Sequence, residues 1–462
     1  MSFAAEIAPA PAADRIASFV DMVGDVPLIT DRGGVRKRSQ DFYWYSPILK
    51  PLLADKTADI VAVPRGEADV VRIAAACARL RLPLTVRGAG TGNYGQAVPL
   101  ERGVLVDMTA MDRVKWMKPG LVRVEAGKLM LKLDREVRPT GWELRMYPST
   151  KRTATIGGFI TGGTGGVGTV SWGGLREPGN INAVRIVTCE ETPRVLELRG
   201  NRANLVNRAY GTTGIVTELE FPLAPAWPWR DVVVTFPDFM QAMRFGQAVQ
   251  CADGIVKKLV TPVAWPIPAT FPRLKNLLPD GRHIVICMIA ATSMAAFRDI
   301  VTEHGGDIEI DEDAVASEEE GGRLPLYEYT WNHTTLHFLK VDRTITYLQC
   351  LCPPGDNLEK VERMYRHFGD EVMQHVEMIR FDGKPANSSL PIVRFTTPER
   401  LNAIIAWCEA NGIYVANPHT WTLEDGTRYK TVPVDQHAFK AEVDPYGLLN
   451  PGKMRSYVPV AR

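Results

Sequence analysis

Residues 59–63 (Asp-Ile-Val-Ala-Val) are a short apolar run closed by Pro64, which predicts a strand. Residues 67–80 then place Val70, Val71, Ile73, Ala74, Cys77 and Leu80 close to a helical period, which predicts a helix. A second apolar run at 83–86 completes a strand–helix–strand unit of about 30 residues, the size a right-handed crossover needs. The same reasoning predicts strands at 104–108, 121–127, 182–188, 195–198 and 215–221, and helices at 129–137 and 204–209. Pro222, Pro225 and Pro228 then punctuate the chain and predict a domain boundary. Beyond it the pattern alternates. Strands are predicted at 232–236, 284–290, 344–352, 375–381, 392–395 and 413–416, with helices at 237–250, 293–304, 357–368 and 397–411. Two similar successions of this kind predict an α+β domain on a largely antiparallel sheet. Residues 1–15 are expected to fray, 311–322 to form a solvated acidic loop, and 444–454 to be a cluster of turns.

The strand at 83–86 runs into Arg87-Gly88-Ala89-Gly90-Thr91-Gly92-Asn93-Tyr94-Gly95-Gln96, with four glycines in eight residues. Glycine lets the main chain approach a ligand closely, and successive N–H groups on such a turn form a nest for an anion, most often a phosphate. The stretch has neither the Gly-Lys-Ser/Thr ending of a Walker loop nor a G-x-G-x-x-G opening onto an amphipathic helix. A second, denser run places nine glycines within 156–174, interleaved with Ile156, Phe159, Ile160, Val167 and Trp172. That interleaving predicts an ordered segment rather than a linker, suited to a flat, extended ligand lying against main chain.

Composition narrows the classes. With 462 residues the chain has room for two or three domains, and 45% hydrophobic and 23% charged residues are ordinary for a globular protein. A formal net charge of +1 carries no nucleic-acid footprint. Seven cysteines do not form a disulfide framework, and Cys350 and Cys352 fit neither a CxxC redox site nor a zinc knuckle. No signal peptide or transmembrane segment is expected, which points to the cytoplasm.

Four motifs in order then resemble the vanillyl-alcohol oxidase / p-cresol methylhydroxylase family of FAD-dependent oxidoreductases, which includes flavoprotein D-lactate and glycolate dehydrogenases. They are Arg87 to Gly92; Ala154-Thr155-Ile156-Gly157-Gly158 with the glycines 162–168; Ala209-Tyr210-Gly211-Thr212-Thr213-Gly214-Ile215-Val216-Thr217-Glu218; and Gly447-Leu448-Leu449-Asn450-Pro451-Gly452-Lys453. The resemblance implies a two-part FAD-binding domain over 1–228, with subdomains of 1–110 and 111–228. It further implies a substrate-binding cap domain over 229–430 and a segment, 431–462, returning to the FAD-binding domain. By resemblance, Arg87, Gly88, Ala89, Gly90, Thr91 and Gly92, with Asn93 and Gln96, hold the pyrophosphate and flavin edge. Thr155, Gly157, Gly158, Gly162, Gly163, Gly165 and Gly166 line the diphosphate, ribityl chain and flavin. Gly211, Gly214, Ile215 and Val216 meet the adenosine half, and Asn450 and Lys453 lie near the flavin's polar edge. Some relatives tether the flavin through a histidine in the first loop. This loop offers Thr91 and no histidine or cysteine, so the expectation is non-covalent FAD, with a tether from the cap through His333, His337, His419 or Cys408 left open.

In the cap, Glu328-Tyr329-Thr330-Trp331-Asn332-His333-Thr334-Thr335-Leu336-His337 carries the most suggestive chemistry. If helical, it sets His333 and His337 on one face, as proton acceptor or substrate ligand, against the alternative of packed histidines. The glutamate of a zincin motif is missing between them, so no metal is assigned. Arg394 is a candidate carboxylate clamp, with a snorkelling edge residue as the alternative. The implied function is hydride transfer from an alcohol or 2-hydroxy acid to FAD, with a small-molecule substrate and with oxygen, a quinone or a redox protein as acceptor. The alternatives are a reductase of an activated or sterol-like C=C bond and a flavin-binding electron-relay subunit. No nucleic-acid partner is expected, and a homo-oligomer is compatible with this class.

Overall fold

Helix Glu67–Leu80 forms where the periodicity places it, burying Val70, Ile73, Ala74 and Cys77. It connects strands Ile60–Ala62 and Leu84–Arg87, both of which pair in parallel with Val104–Asp107 lying between them. The computed structural model describes residues 12–163, 165–314, 324–428 and 430–459. A fourth strand, Leu28–Ile29, joins this sheet antiparallel to Ile60–Ala62. Helix Ala12–Val23 packs on Glu67–Leu80 through Phe19 and Val23, so residues 12–15 of the segment expected to fray are helical, and residues 1–11 lie outside the described residues. An amphipathic face was hidden there by the alanine-rich composition.

The second sheet is antiparallel, in the order Val114–Lys118, Leu121–Glu125, Ile215–Pro225, Ala183–Val187 and Val195–Arg199, with Trp142–Leu144 pairing the far end of Ile215–Pro225. The chain leaves it at 226–228 and enters a third sheet made by Lys257–Val263, His283–Ala290, Trp229–Phe236 and Asp307–Asp313. Two smaller antiparallel sheets complete the cap. The antiparallel pairing holds throughout, but the strands divide among three sheets, linked by the bridge Val263↔His375. The run predicted at 344–352 accordingly breaks into Ile345–Tyr347 and Cys350–Cys352.

Other departures are local. Residues 200–205 form a 3₁₀ helix in place of the helix expected at 204–209. The expected acidic loop at 311–322 begins as strand Asp307–Asp313, where Asp311 is paired with Arg230 and Arg298, and its residues 315–322 lie outside the described residues. The terminal turn cluster returns to the first sheet: Leu84 N–H bonds to Leu448 O at 2.8 Å and Asn450 N–H to Leu84 O at 2.7 Å. The buried carboxylate of Asp444 shapes that turn by accepting from Leu448 and Leu449 N–H.

Candidate active site

The glycine loop leaves strand Leu84–Arg87 on the side where the second glycine run arrives. Gly88 shows how close they come, since a Cβ there would stand 2.1 Å from Thr155 Oγ1. Gly90 has φ +69°, and a Cβ on it would meet the Arg87 guanidinium carbon at 2.3 Å. That guanidinium is occupied. It donates to the carbonyls of Arg38, Gln40 and Ala89, so Arg87 braces the loop against the basic and aromatic segment 36–44. Phe42 N–H adds a bond to Gly92 O at 2.7 Å. The N–H groups of Ala89, Gly90, Thr91, Gly92 and Asn93 find no acceptor among the described residues, which leaves five consecutive donors. Such a run of donors is a site for phosphate oxygens.

The loop forms one wall of a long cleft. Arg87, Gly88, Ala89, Gly90, Thr91, Gly92, Asn93 and Gln96 all line it, as do Thr155, Gly157, Gly158, Gly162, Gly163, Gly165, Gly211, Gly214 and Val216. Three of the four sequence motifs therefore converge on one surface. The fourth supports it from behind. Asn450 Nδ2 donates to Gln96 O and Tyr210 O, joining the first motif to the third, while Lys453 Nζ donates to Gly95 O. Gly166 and Ile215 also stand behind the lining: Gly166 N–H bonds to Thr169 Oγ1 and Ile215 is in the core. Burial pushes the Lys453 ammonium below its usual range and the Asp41 carboxyl above its own, with their mutual attraction opposing both shifts.

The opposite wall comes from the cap. Helix Asn332–Val341 begins at the cleft, so Asn332, His333 and Leu336 line it, together with Trp331, Gln349, Ser388 and Leu390. His333 Nδ1 stands 2.8 Å from Glu328 Oε2, close enough for an ion pair when the ring is protonated but too oblique for a hydrogen bond. Gln349 Nε2 donates to Asn332 Oδ1 at 3.3 Å. The cap wall is thus polar and convergent around His333.

The other two catalytic expectations are corrected. His337, one turn further along, is already inside the core, 4.7 Å from the Tyr329 ring and 6.0 Å from Phe271. Burial there depresses its pKa to about 4. Arg394 is the exposed last residue of the central strand Ile392–Arg394, donating to Asp370 O and standing 3.6 Å from Asp342, and it does not reach the cleft. Of the tether candidates, Cys408 is buried beside Met364, and His419 spans Ser46 Oγ and Tyr347 O. Only His333 of that set lines the cleft. Tyr327 and Tyr329 are core residues, whereas Trp331 is a wall.

Sequence reasoning missed several lining residues. Asp41, Phe42 and Tyr45 lie in the basic and aromatic segment 36–45, whose composition was the available signal. Tyr210 belongs to the third motif and Arg208 lies just before it, whereas Gln349 and Ser388 carry no local signal, because strand pairing brings them in: Ser388 faces Leu351, two residues from Gln349, across the ladder. No three His, Cys, Asp or Glu side chains among the described residues are arranged to hold a metal ion, and no described helix is long and apolar enough to cross a membrane.

Residues 58–217 match the family described as the FAD binding domain. Among curated proteins, the glycolate oxidase subunit GlcD of Escherichia coli (strain K12) is 28% identical over 207 residues, 43% of this chain and 41% of that one. The D-2-hydroxyglutarate dehydrogenase of the same organism is 40% identical over 121 residues, 25% of this chain and 12% of that one. The chain thus spans less than half the length of these relatives. Among solved structures, alkyldihydroxyacetonephosphate synthase superposes with a TM-score of 0.70 at 14% identity, covering 96% of this chain and 85% of that one. The 4-ethylphenol oxidase from Gulosibacter chungangensis gives 0.67 at 16%, covering 96% of each. At these identities the likeness is one of fold.

Proposed function

We propose that this chain, whose residues 58–217 match the FAD binding domain family, oxidises an alcohol or a 2-hydroxy acid with FAD held non-covalently in the cleft. The observation that carries this reading is the row of five unsatisfied amides, Ala89 to Asn93, facing a polar cap wall across one cleft. The residues fit the cofactor. Amides suit its phosphates, and the glycines at 157, 158, 162, 163 and 165 leave a surface free of side chains for the ring. Bound FAD supplies a two-electron acceptor for a hydride from carbon.

The chain's own groups do the rest. Gly88 and Thr155 fix the two glycine runs against each other, so the cradle is built before the ligand arrives. His333 accepts the substrate hydroxyl proton at Nε2, and the Glu328 carboxylate beside Nδ1 stabilises the imidazolium that results. Asn332, Gln349 and Ser388 orient the hydroxyl-bearing carbon, while Trp331, Leu336 and Leu390 keep water from it. For a 2-hydroxy acid, Arg208 replaces Arg394 as the cation for the carboxylate, because it shares the lining with Tyr210. The convergent polar cap wall disfavours an electron-relay subunit, which would have no use for one. Lack of a flavin-reactive side chain in the loop, with Cys408, His337 and His419 engaged elsewhere, supports an untethered cofactor. The reoxidant is oxygen, a quinone or a redox protein, and the seven unpaired cysteines are in keeping with a cytoplasmic setting.

The test is anaerobic flavin bleaching against a panel of alcohols, 2-hydroxy acids and phenols. Bleaching by a member of the panel is expected, and recovery in air would mark an oxidase. Reduction by NAD(P)H alone, with none of the panel active, contradicts the proposal.

A further inference from the structure

Trp331 adopts φ +52° and ψ −140°, a left-handed conformation that side chains other than glycine rarely take. Its N–H donates to Glu377 Oε1 at 2.6 Å. Glu377 is buried on strand Val376–Phe381, and its carboxylate takes two further contacts: Thr261 Oγ1 donates to Oε2 at 2.5 Å, and His375 Nε2 stands 2.9 Å from Oε1. A carboxylate only accepts, so Nε2 carries the hydrogen of that ring. The same Nε2 lies 3.2 Å from Thr334 Oγ1, whose own hydrogen goes to Tyr329 O at 2.6 Å. Three donors from three segments therefore meet on one buried carboxylate. Two of those contacts secure the start of helix Asn332–Val341, one directly at Trp331 and one through His375 and Thr334. On the other side of Trp331, its Cη2 would stand 3.3 Å from a Cβ on Gly165, so the indole lies along the glycine track.

We propose that Glu377 is a positioning residue that holds Trp331 in its strained conformation and so presses the indole over the part of the cleft that receives the cofactor. This rests on the reading of the cleft as an FAD site. Glu377 does not itself line the cleft; it acts through the amide of Trp331, which does. His375 is fully buried and serves the same carboxylate.

The test is a double-mutant cycle on FAD affinity, read by flavin fluorescence on the full-length chain, with W331G, E377A and both together. W331G is expected to weaken FAD binding about tenfold, since it removes the aromatic plate. E377A is expected to weaken it roughly fivefold alone and less than about twofold in the W331G background, because the two act as one unit. E377Q should stay within about twofold of the unaltered protein, since the amide keeps an oxygen for Trp331 and His375 and can donate to Thr261. Equal losses from E377A in both backgrounds overturn the proposal, as they mark a general structural role. Should E377A not fold, E377L fills the same volume in the cycle; failure of both to fold also counts against a positioning role. Hydrogen exchange at the Trp331 amide separates this proposal from the FAD reading, because it needs no cofactor. Exchange on the order of 100-fold faster in E377A than in E377Q is expected, and equal rates contradict the clamp. An unaltered protein that takes up no FAD contradicts the functional reading while leaving the exchange measurement to decide on Glu377.

Discussion

His333 and His337 are four residues apart on one helix and have opposite surroundings. The first lines the cleft beside Glu328. Replacing it with alanine is expected to slow anaerobic flavin reduction by about 10²–10⁴-fold with FAD content unchanged, the range for loss of a general base. Stopped-flow absorbance checks this, and unchanged reduction rates would remove His333 from the mechanism. His337 and the similarly buried His419 are both depressed to about 4 from an ordinary 6.5. Between those values the unfolded chain binds protons that the folded chain refuses. The stability that comes from keeping both rings neutral is therefore complete above pH 6.5 and lost as the pH falls towards 4, by about 3 kcal/mol for each ring. His337→Phe should remove roughly half of this acid sensitivity, leaving the His419 share. Denaturant titrations at pH 7 and pH 5 measure it. Arg394→Ala, by contrast, is expected to leave FAD affinity and reduction rates within about twofold, as its side chain is exposed and half-paired.

Among the elements, the glycine loop does most to shape the cleft. Gly90→Ala forces a side chain into a left-handed position and onto the Arg87 guanidinium, at a cost of about 1–2 kcal/mol. Because that guanidinium braces the loop, FAD affinity is expected to fall more than about tenfold while thermal unfolding shifts by only a few degrees. A fluorescence titration and a melting curve together test this. The loop, the strand before it and the helix between 67 and 80 were legible because their signals are local: periodicity, a proline stop and glycine spacing. The terminal Asn450 and Lys453 were legible as a motif, but their position behind the loop was not, since it follows from Leu84 pairing with the 448–450 backbone. Gln349 and Ser388 were invisible for the same reason: a cap strand carries no mark of which partner will face it. Strands such as Lys384–Ser389, whose Lys-Pro-Ala-Asn-Ser-Ser composition opposes β structure, form because Val376–Phe381 pairs along their whole length.

Over the whole molecule, the two walls of the cleft are held in place by a buried chain of charges. Glu143, on the strand Trp142–Leu144, accepts from Lys258 Nζ, Arg138 Nη2 and Trp229 Nε1, and Lys258 and Trp229 belong to the third sheet. Arg138 continues to Asp134, which also pairs with Lys151 in the segment 148–155 that lines the cleft. The attraction of Lys151, Lys258 and Arg138 outweighs burial and keeps the Asp134 carboxyl well below its usual range. Glu143→Ala leaves Lys258 buried without its carboxylate, with the Leu144 carbonyl still accepting from it, and is expected to cost about 3–5 kcal/mol. Calorimetry on the FAD-loaded protein should show this loss, and a change below about 1 kcal/mol would mean the chain does not join the walls. On the proposed function the cleft holds one FAD, without a covalent bond. The most direct measurement of this is the flavin content of the purified, FAD-reconstituted protein before and after acid precipitation. About one FAD per chain is expected, all of it in the supernatant. A protein that takes up no flavin, or a precipitate that stays yellow, contradicts it.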